Sequence, residues 1–151
     1  MLANLPPCRF GGTRGPKPAL PFLVANCQTG PVSAMQKPIV SAEEAVAHIG
    51  DAQTIVIGGS GAGHSIAERL LEALGRRFRA TGSPTSLTLV HPFGVGNQKD
   101  RGLEHLADPR LIRRDIGGHW SMSPSMARLA AENKIEAYNL PAGIIVQLLG
   151  A

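Results

Sequence analysis

The run Thr54-Ile55-Val56-Ile57-Gly58-Gly59-Ser60-Gly61-Ala62-Gly63 joins an apolar, β-branched segment to a helical pattern. Glycines let a backbone turn sharply and approach a ligand, and the N-terminus of the following helix offers free N–H groups to an anion. Gly59, Ser60, Gly61 and Gly63 therefore form either a ligand-proximal loop or a tight strand-to-helix connection that binds nothing. The spacing does not fit a dinucleotide fingerprint: the third glycine comes one residue early, and the next strand pattern ends in His91-Pro92, not in an acid. No Lys-Ser/Thr pair follows the glycines, so a P-loop is excluded.

Gly63-His64-Ser65-Ile66-Ala67 resembles a nucleophile elbow with its last glycine replaced by alanine. Asp108 or Asp115, followed by His119, would complete a hydrolase triad in chain order. The number of strands in the pattern is small for that fold, and Ser65 is equally suited to capping the helix that follows. His48, His64, His91, His105 and His119 show no metal-ligand spacing. Gly117-Gly118-His119-Trp120 stands at a strand end, where the Trp and His either line a pocket or anchor a loop on the core. Glu43, Glu44, Glu68, Glu72, Glu132 and Glu136 read as a solvated face.

These residues need a scaffold, and the patterning supplies one. Ser41 and Glu44 form a capping box for a short helix ended by Gly50. Strands are expected at 53–57, 86–90, 111–116 and 135–138, each with a Gly-containing or small polar loop after it. Helices are expected at 65–80, where Ile66, Leu70, Leu74 and Phe78 recur every four residues, from Pro124 at a first-turn position, and from Ile144 onward. Arg76, Arg77 and Arg79 crowd the last turns of the 65–80 helix, where cations suit its dipole. Residues 97–110 read as loop or short helix. Alternating strands and helices imply an α/β fold with an open, mainly parallel sheet and crossover helices, whose ligand sites lie at the carboxyl ends of the strands.

The 151 residues amount to about one domain. Residues 1–37 carry four basic side chains and no acid, while the remainder balances eleven of each sign. The formal charge of +4 therefore belongs to the leader, and the folded part has no electrostatic footprint for nucleic acid. Aromatics are only 4%, which leaves little for base stacking. Cys8 and Cys27 both lie in the leader. No apolar run approaches the ~20 residues of a membrane span, and a cytoplasmic location is expected. Seven of the twelve prolines fall within residues 1–38. Residues 1–37 are expected to be a Pro/Gly-rich disordered leader or a gene-start artefact, with translation then beginning at Met35.

Three segments, KPIVSAEEAVAHIGDAQTIVIGGSGAG, SLTLVHPFGVGNQKDRGLEHLADPRLIRRDIGGHW and AENKIEAYNLPAGIIVQLL, resemble in order the N-terminal (α-type) half of family I CoA-transferases. The similarity is to the acyl-CoA:acetate/3-ketoacid group, which includes propionate CoA-transferases. It implies a NagB/RpiA/CoA-transferase-like fold and transfer of CoA from an acyl-CoA to a free carboxylic acid through a glutamyl-CoA intermediate. The nucleophilic glutamate of the family lies in its C-terminal (β-type) half, so no catalytic residue is assigned in this chain. The resemblance implies that Gly59, Ser60, Gly61, Gly63, Gly118, His119 and Trp120 bind substrate, with coenzyme A as substrate and no permanently bound cofactor or metal. It implies acyl-CoA and carboxylate as small-molecule partners, a glutamate-bearing half as protein partner, an oligomer when complete, and neither nucleic acid nor membrane. Residues 38–151 are then expected to be a partial α-type domain, truncated at its C-terminus and inactive alone. Pro141-Ala142-Gly143 replaces the Pro-Gln-Gly usual in the family, so one side-chain amide is absent here. The alternative class is a non-catalytic phosphosugar- or anion-binding module on a related sheet.

Overall fold

The structure, a computed structural model, describes residues 38–59 and 64–151. Ser41 caps α1 (Ala42–Ala47) in the expected way. Its hydroxyl accepts from the Glu44 N–H at 3.2 Å, and its own N–H donates to Glu44 Oε2 at 2.8 Å. This box satisfies two otherwise unpaired groups. Ser41→Ala is expected to cost about 1 kcal/mol, read as a lower urea midpoint; an unchanged midpoint would show that packing of Val46 alone holds α1.

β1 (Thr54–Val56) leads through the glycine loop to α2 (Glu68–Thr81). The apolar stripe of α2 buries Leu71, Leu74 and Phe78, and Gly82 ends the helix in the left-handed conformation at φ 73°. Ser65 does not cap it. Ser65 itself takes φ 53°, and the N-cap is Ala67 without a side-chain bond. The turn at 64–67 thus delays the helix by three residues from the expected start. Arg77 near its C-terminal end serves another helix: its guanidinium donates to the carbonyls of Val46 and Ile49, closing the end of α1.

β2 (Leu87–His91), a 3-10 helix (Leu103–Leu106), β3 (Ile112–Gly117), α3 (Pro124–Ala131), β4 (Glu136–Asn139) and α4 (Ala142–Leu149) follow. The four strands are all parallel, in the spatial order β1-β2-β3-β4. A register shift between Leu87 and Thr88 leaves Arg113 as an extra residue on β3, which turns it out to solvent. Leu87, Leu89, Leu103, Leu106, Leu111 and Met126 are fully buried and form the centre of the core. Pro124 stands in the first turn of α3, as expected, but Ser123 donates to Val95 O and leaves the cap to Glu104, whose carboxylate accepts from Ser125 N.

All four residues of β4 are exposed. Arg114 ties this edge strand to β3: its Nε donates to Glu136 Oε2 at 2.6 Å, and its guanidinium lies over the Tyr138 ring. On α4, Ile145 is buried, whereas Ile144, Val146, Leu148 and Leu149 are open to solvent. No helix among the described residues is long and apolar enough to cross a membrane.

Candidate functional site: two loops locked together at the sheet's carboxyl edge

In a parallel sheet every strand sends its C-terminal loop to the same edge. His91 and Gly117, the last residues of β2 and β3, are register partners there. The loops 92–96 and 118–123 therefore run side by side. Their glycines are sites of close packing. A Cβ on Gly117 would stand 2.6 Å from His91 Cε1, and one on Gly118 would run into the Pro92 carbonyl. A Cβ on Gly94 would enter the ring of His119. Five hydrogen bonds pin the second loop. Gly118 N donates to His91 O, Leu140 N to Gly117 O, Asn139 Nδ2 to Gly118 O, Gln98 N to Met122 O, and Ser123 Oγ to Val95 O.

Beneath the loops lies a buried polar chain. His91 and Asp115 are both fully buried, with His91 Nε2 3.0 Å from Asp115 Oδ1. Neither atom has a hydrogen-bond partner elsewhere, so each depends on the other. Asp115 Oδ2 accepts from Trp120 Nε1 at 2.8 Å, and His91 Nδ1 faces the Phe93 carbonyl at 2.7 Å. Burial alone drives the His91 pKa down and is the largest single influence. The Asp115 hydrogen-bonding contact, the Asp115 charge and the Phe93 carbonyl together outweigh it, so the pKa is raised above 6.5. Trp120 is thus an anchor on the core.

His119 differs from His91. The Gly94 N–H can only donate, so His119 Nε2, 3.0 Å away, accepts, and the neutral ring carries its proton on Nδ1. That nitrogen lies 2.9 Å from Ser121 Oγ. Both His119 and Ser121 are exposed.

The expected site residues divide accordingly. Gly118, His119 and Trp120 lie together on the pinned loop. Gly59 is described, with φ 150° and its Cα facing the returning Ser65 carbonyl. Ser60, Gly61 and Gly63 lie outside the described residues, as does the whole 1–37 leader. The hydrolase arrangement loses its partners: Asp115 is committed to His91 and Trp120, and both His119 nitrogens are occupied by Gly94 and Ser121. Glu68 is no solvated-face residue. Its carboxylate binds His105 Nε2 at 2.8 Å and accepts from Gly102 N at 2.9 Å, joining α2 to the 3-10 segment. An apolar cavity of about 170 Å³ between α1, β1 and α2, reaching Gly58, carries no polar anchor among its lining side chains.

Sequence reasoning missed the His91–Asp115 pair and Ser121. The available signal for the pair was a lone carboxylate in the middle of an otherwise buried strand, which must find a partner. Ser121 carries no signal of its own, since its contact with His119 Nδ1 follows from the local fold.

A parallel sheet with crossover helices and paired, glycine-packed loops at its carboxyl edge defines an α/β domain, and its sequence places it more narrowly. The chain belongs to the Coenzyme A transferase family, whose model matches residues 39–151. It is 40% identical over 114 residues to the acetate CoA-transferase YdiF of Escherichia coli (strain K12), covering 76% of this chain and 22% of that protein. It is 31% identical over 110 residues to the caffeate CoA-transferase of Acetobacterium woodii, covering 72% and 21%. The crystal structure of the acyl-CoA transferase YdiF from E. coli O157:H7, in a thioester complex with CoA, matches with a TM-score of 0.70 at 40% identity. That match covers 73% of this chain and 23% of the YdiF chain. The chain thus spans about a fifth of the length of the relatives it matches. The expected fold class and family are those observed.

Proposed function

We propose that this chain supplies one wall of the acyl/carboxylate pocket of a CoA-transferase that moves CoA from an acyl-CoA to a free carboxylic acid. The observation that carries the reading is the 40% identity to an acetate CoA-transferase over 114 residues, a stretch that includes the pinned loops. A glutamate outside this chain attacks the thioester, giving a mixed anhydride and CoA thiolate. The thiolate then opens the anhydride at the glutamyl carbonyl and releases the donor acid. The acceptor carboxylate attacks the resulting glutamyl-CoA, expelling CoA thiolate and forming a second anhydride, which the thiolate opens at the acyl carbonyl to give the new acyl-CoA and the free glutamate. Within this scheme the wall residues are Gly59, Ser60, Gly61, Gly63, Gly118, His119 and Trp120. Among the described residues, Gly118, His119 and Trp120 contribute a preorganised surface that costs no rearrangement at the moment of reaction. Coenzyme A is substrate, with no permanently bound cofactor. A glutamate-bearing half, assembly into an oligomer and a cytoplasmic location belong to the same proposal.

The reading predicts that this chain alone, given an acyl-CoA and an isotopically labelled acid, transfers no CoA at an enzyme-like rate. Adding a glutamate-bearing half creates the activity, and mass spectrometry finds the CoA adduct on that half. Turnover by the isolated chain, or a CoA adduct on it, overturns the assignment of the nucleophile.

A further inference from the structure

Two serines lie close together on the pinned loop and point their protons in opposite senses. Ser123 is buried and donates its hydroxyl inward, to Val95 O at 2.6 Å. Ser121 cannot do the same toward His119. The Gly94 N–H occupies His119 Nε2 as a donor, so the ring proton sits on Nδ1 and is directed at Ser121 Oγ. A hydroxyl that accepts from a ring N–H keeps its own proton for another acceptor. Ser121 is exposed, so that proton faces the space outside the loop. The ring occupies space that the glycine at position 94 leaves open and accepts its N–H, and the loop on both sides of Ser121 is fixed through Trp120, Met122 and Ser123. A single hydroxyl on a flexible loop binds weakly, because ordering it costs entropy; here that cost is met in folding.

We propose that Ser121 is a substrate-binding residue of this site. Its hydroxyl, oriented by His119, donates a hydrogen bond to a carboxyl or acyl oxygen. His119 is then a positioning residue, acting through Ser121. The inference rests on the CoA-transferase reading and adds to it a residue and the chemistry of the group it holds. Two sources can present that oxygen, the free acid and the thioester carbonyl of an acyl-CoA.

Trp120 is the single tryptophan of the chain and adjoins Ser121, so its fluorescence reports occupancy of the loop. The full chain is titrated separately with acetate and with acetyl-CoA. Ser121→Ala is expected to weaken binding of the ligand that uses this hydroxyl by about tenfold, the usual worth of a hydrogen bond to a charged or strongly polar group. Loss with acetate alone assigns the contact to the free carboxylate, and loss with acetyl-CoA to the thioester carbonyl. Ser121→Thr, which keeps the hydroxyl, restores binding to within about threefold of the parent. His119→Ala weakens binding less than Ser121→Ala, and adding His119→Ala to Ser121→Ala causes no further loss, the non-additivity expected of two residues acting through one contact. A merely structural role for either residue would instead give additive losses. Parent-like affinity of Ser121→Ala for both ligands, with the parent binding normally, overturns the role of Ser121 alone. Failure of the parent to respond to either ligand with the glutamate-bearing half present overturns the CoA-transferase reading and this inference with it.

Discussion

Replacing Asp115 by Ala is expected to lower the unfolding free energy by about 3–5 kcal/mol, the range for removing one partner of a buried ion pair. The loss is this large because the substitution strands two groups at once. His91, fully buried, keeps no counter-charge, and Trp120 Nε1 loses its acceptor. Since a domain is stable by only about 5–15 kcal/mol, the variant is expected to be partly unfolded at ambient temperature. Asp115→Asn separates charge from shape, because an amide oxygen can still receive the Trp120 N–H. The two proteins should then differ in the sign of their pH dependence. In the parent, the folded pKa of His91 is raised above 6.5. Stability from the pair is therefore fully present below that value and is lost as pH rises through the raised pKa. In Asp115→Asn, burial is opposed only by the Phe93 carbonyl and pushes the His91 pKa down. Stability then grows as pH rises through the lowered pKa toward 6.5, a window on the acid side of the parent's. Urea midpoints measured across this range test the sign directly. Parallel curves for the two proteins would mean that His91 carries no charge in the parent.

The second large effect concerns the loop packing. Gly118→Ala is expected to cost about 1–3 kcal/mol, the range for forcing extra volume into a packed interior. The new methyl meets the Pro92 carbonyl, which is backbone and cannot swing aside. The loop must shift, and a displaced Trp120 should change its emission together with the midpoint. Gly94→Ala offers a contrast. Its methyl meets the ring of His119, an exposed side chain that can rotate away. The cost there is about one hydrogen bond, roughly 0.5–1.5 kcal/mol, with little change in Trp120 emission. A Gly118→Ala protein as stable as the parent would show that the two loops are not in backbone contact.

Local rules made most of the scaffold legible. The capping box at Ser41 and the proline opening α3 each depend on neighbours within one turn, and each is found; of the expected α2 repeat only Leu74 and Phe78 are buried, because the helix starts after Ile66 and turns Leu70 to solvent and Leu71 inward. Strands are found where β-branched and apolar runs stood, displaced by about one residue at their ends. The site was legible in place but not in contact. Gly118, His119 and Trp120 were recognised at a strand end, yet their partners come from the preceding strand and its loop: Gly94 for the ring of His119, and Pro92 for the backbone at Gly118. Glycine signals a close approach but does not say whether a ligand or the protein itself approaches. In 92–96 and 117–118 it is the protein. The misplaced cap at Ser65 has a similar cause, because a left-handed residue before a helix cannot be distinguished from an N-cap by type alone.

The sheet's spatial order equals its chain order. Its consequence concerns synthesis. Each described strand after the first pairs with the strand made just before it, across a single crossover, so a growing chain meets its template as soon as the new segment is free of the ribosome. No early strand has to wait, with an unpaired gap beside it, for a late strand to insert. The domain can be laid down in one direction, β1 to β4. The buried His91–Asp115 contact then forms only when the third strand is laid beside the second, and it becomes the event that closes the upstream half of the sheet around a charged pair.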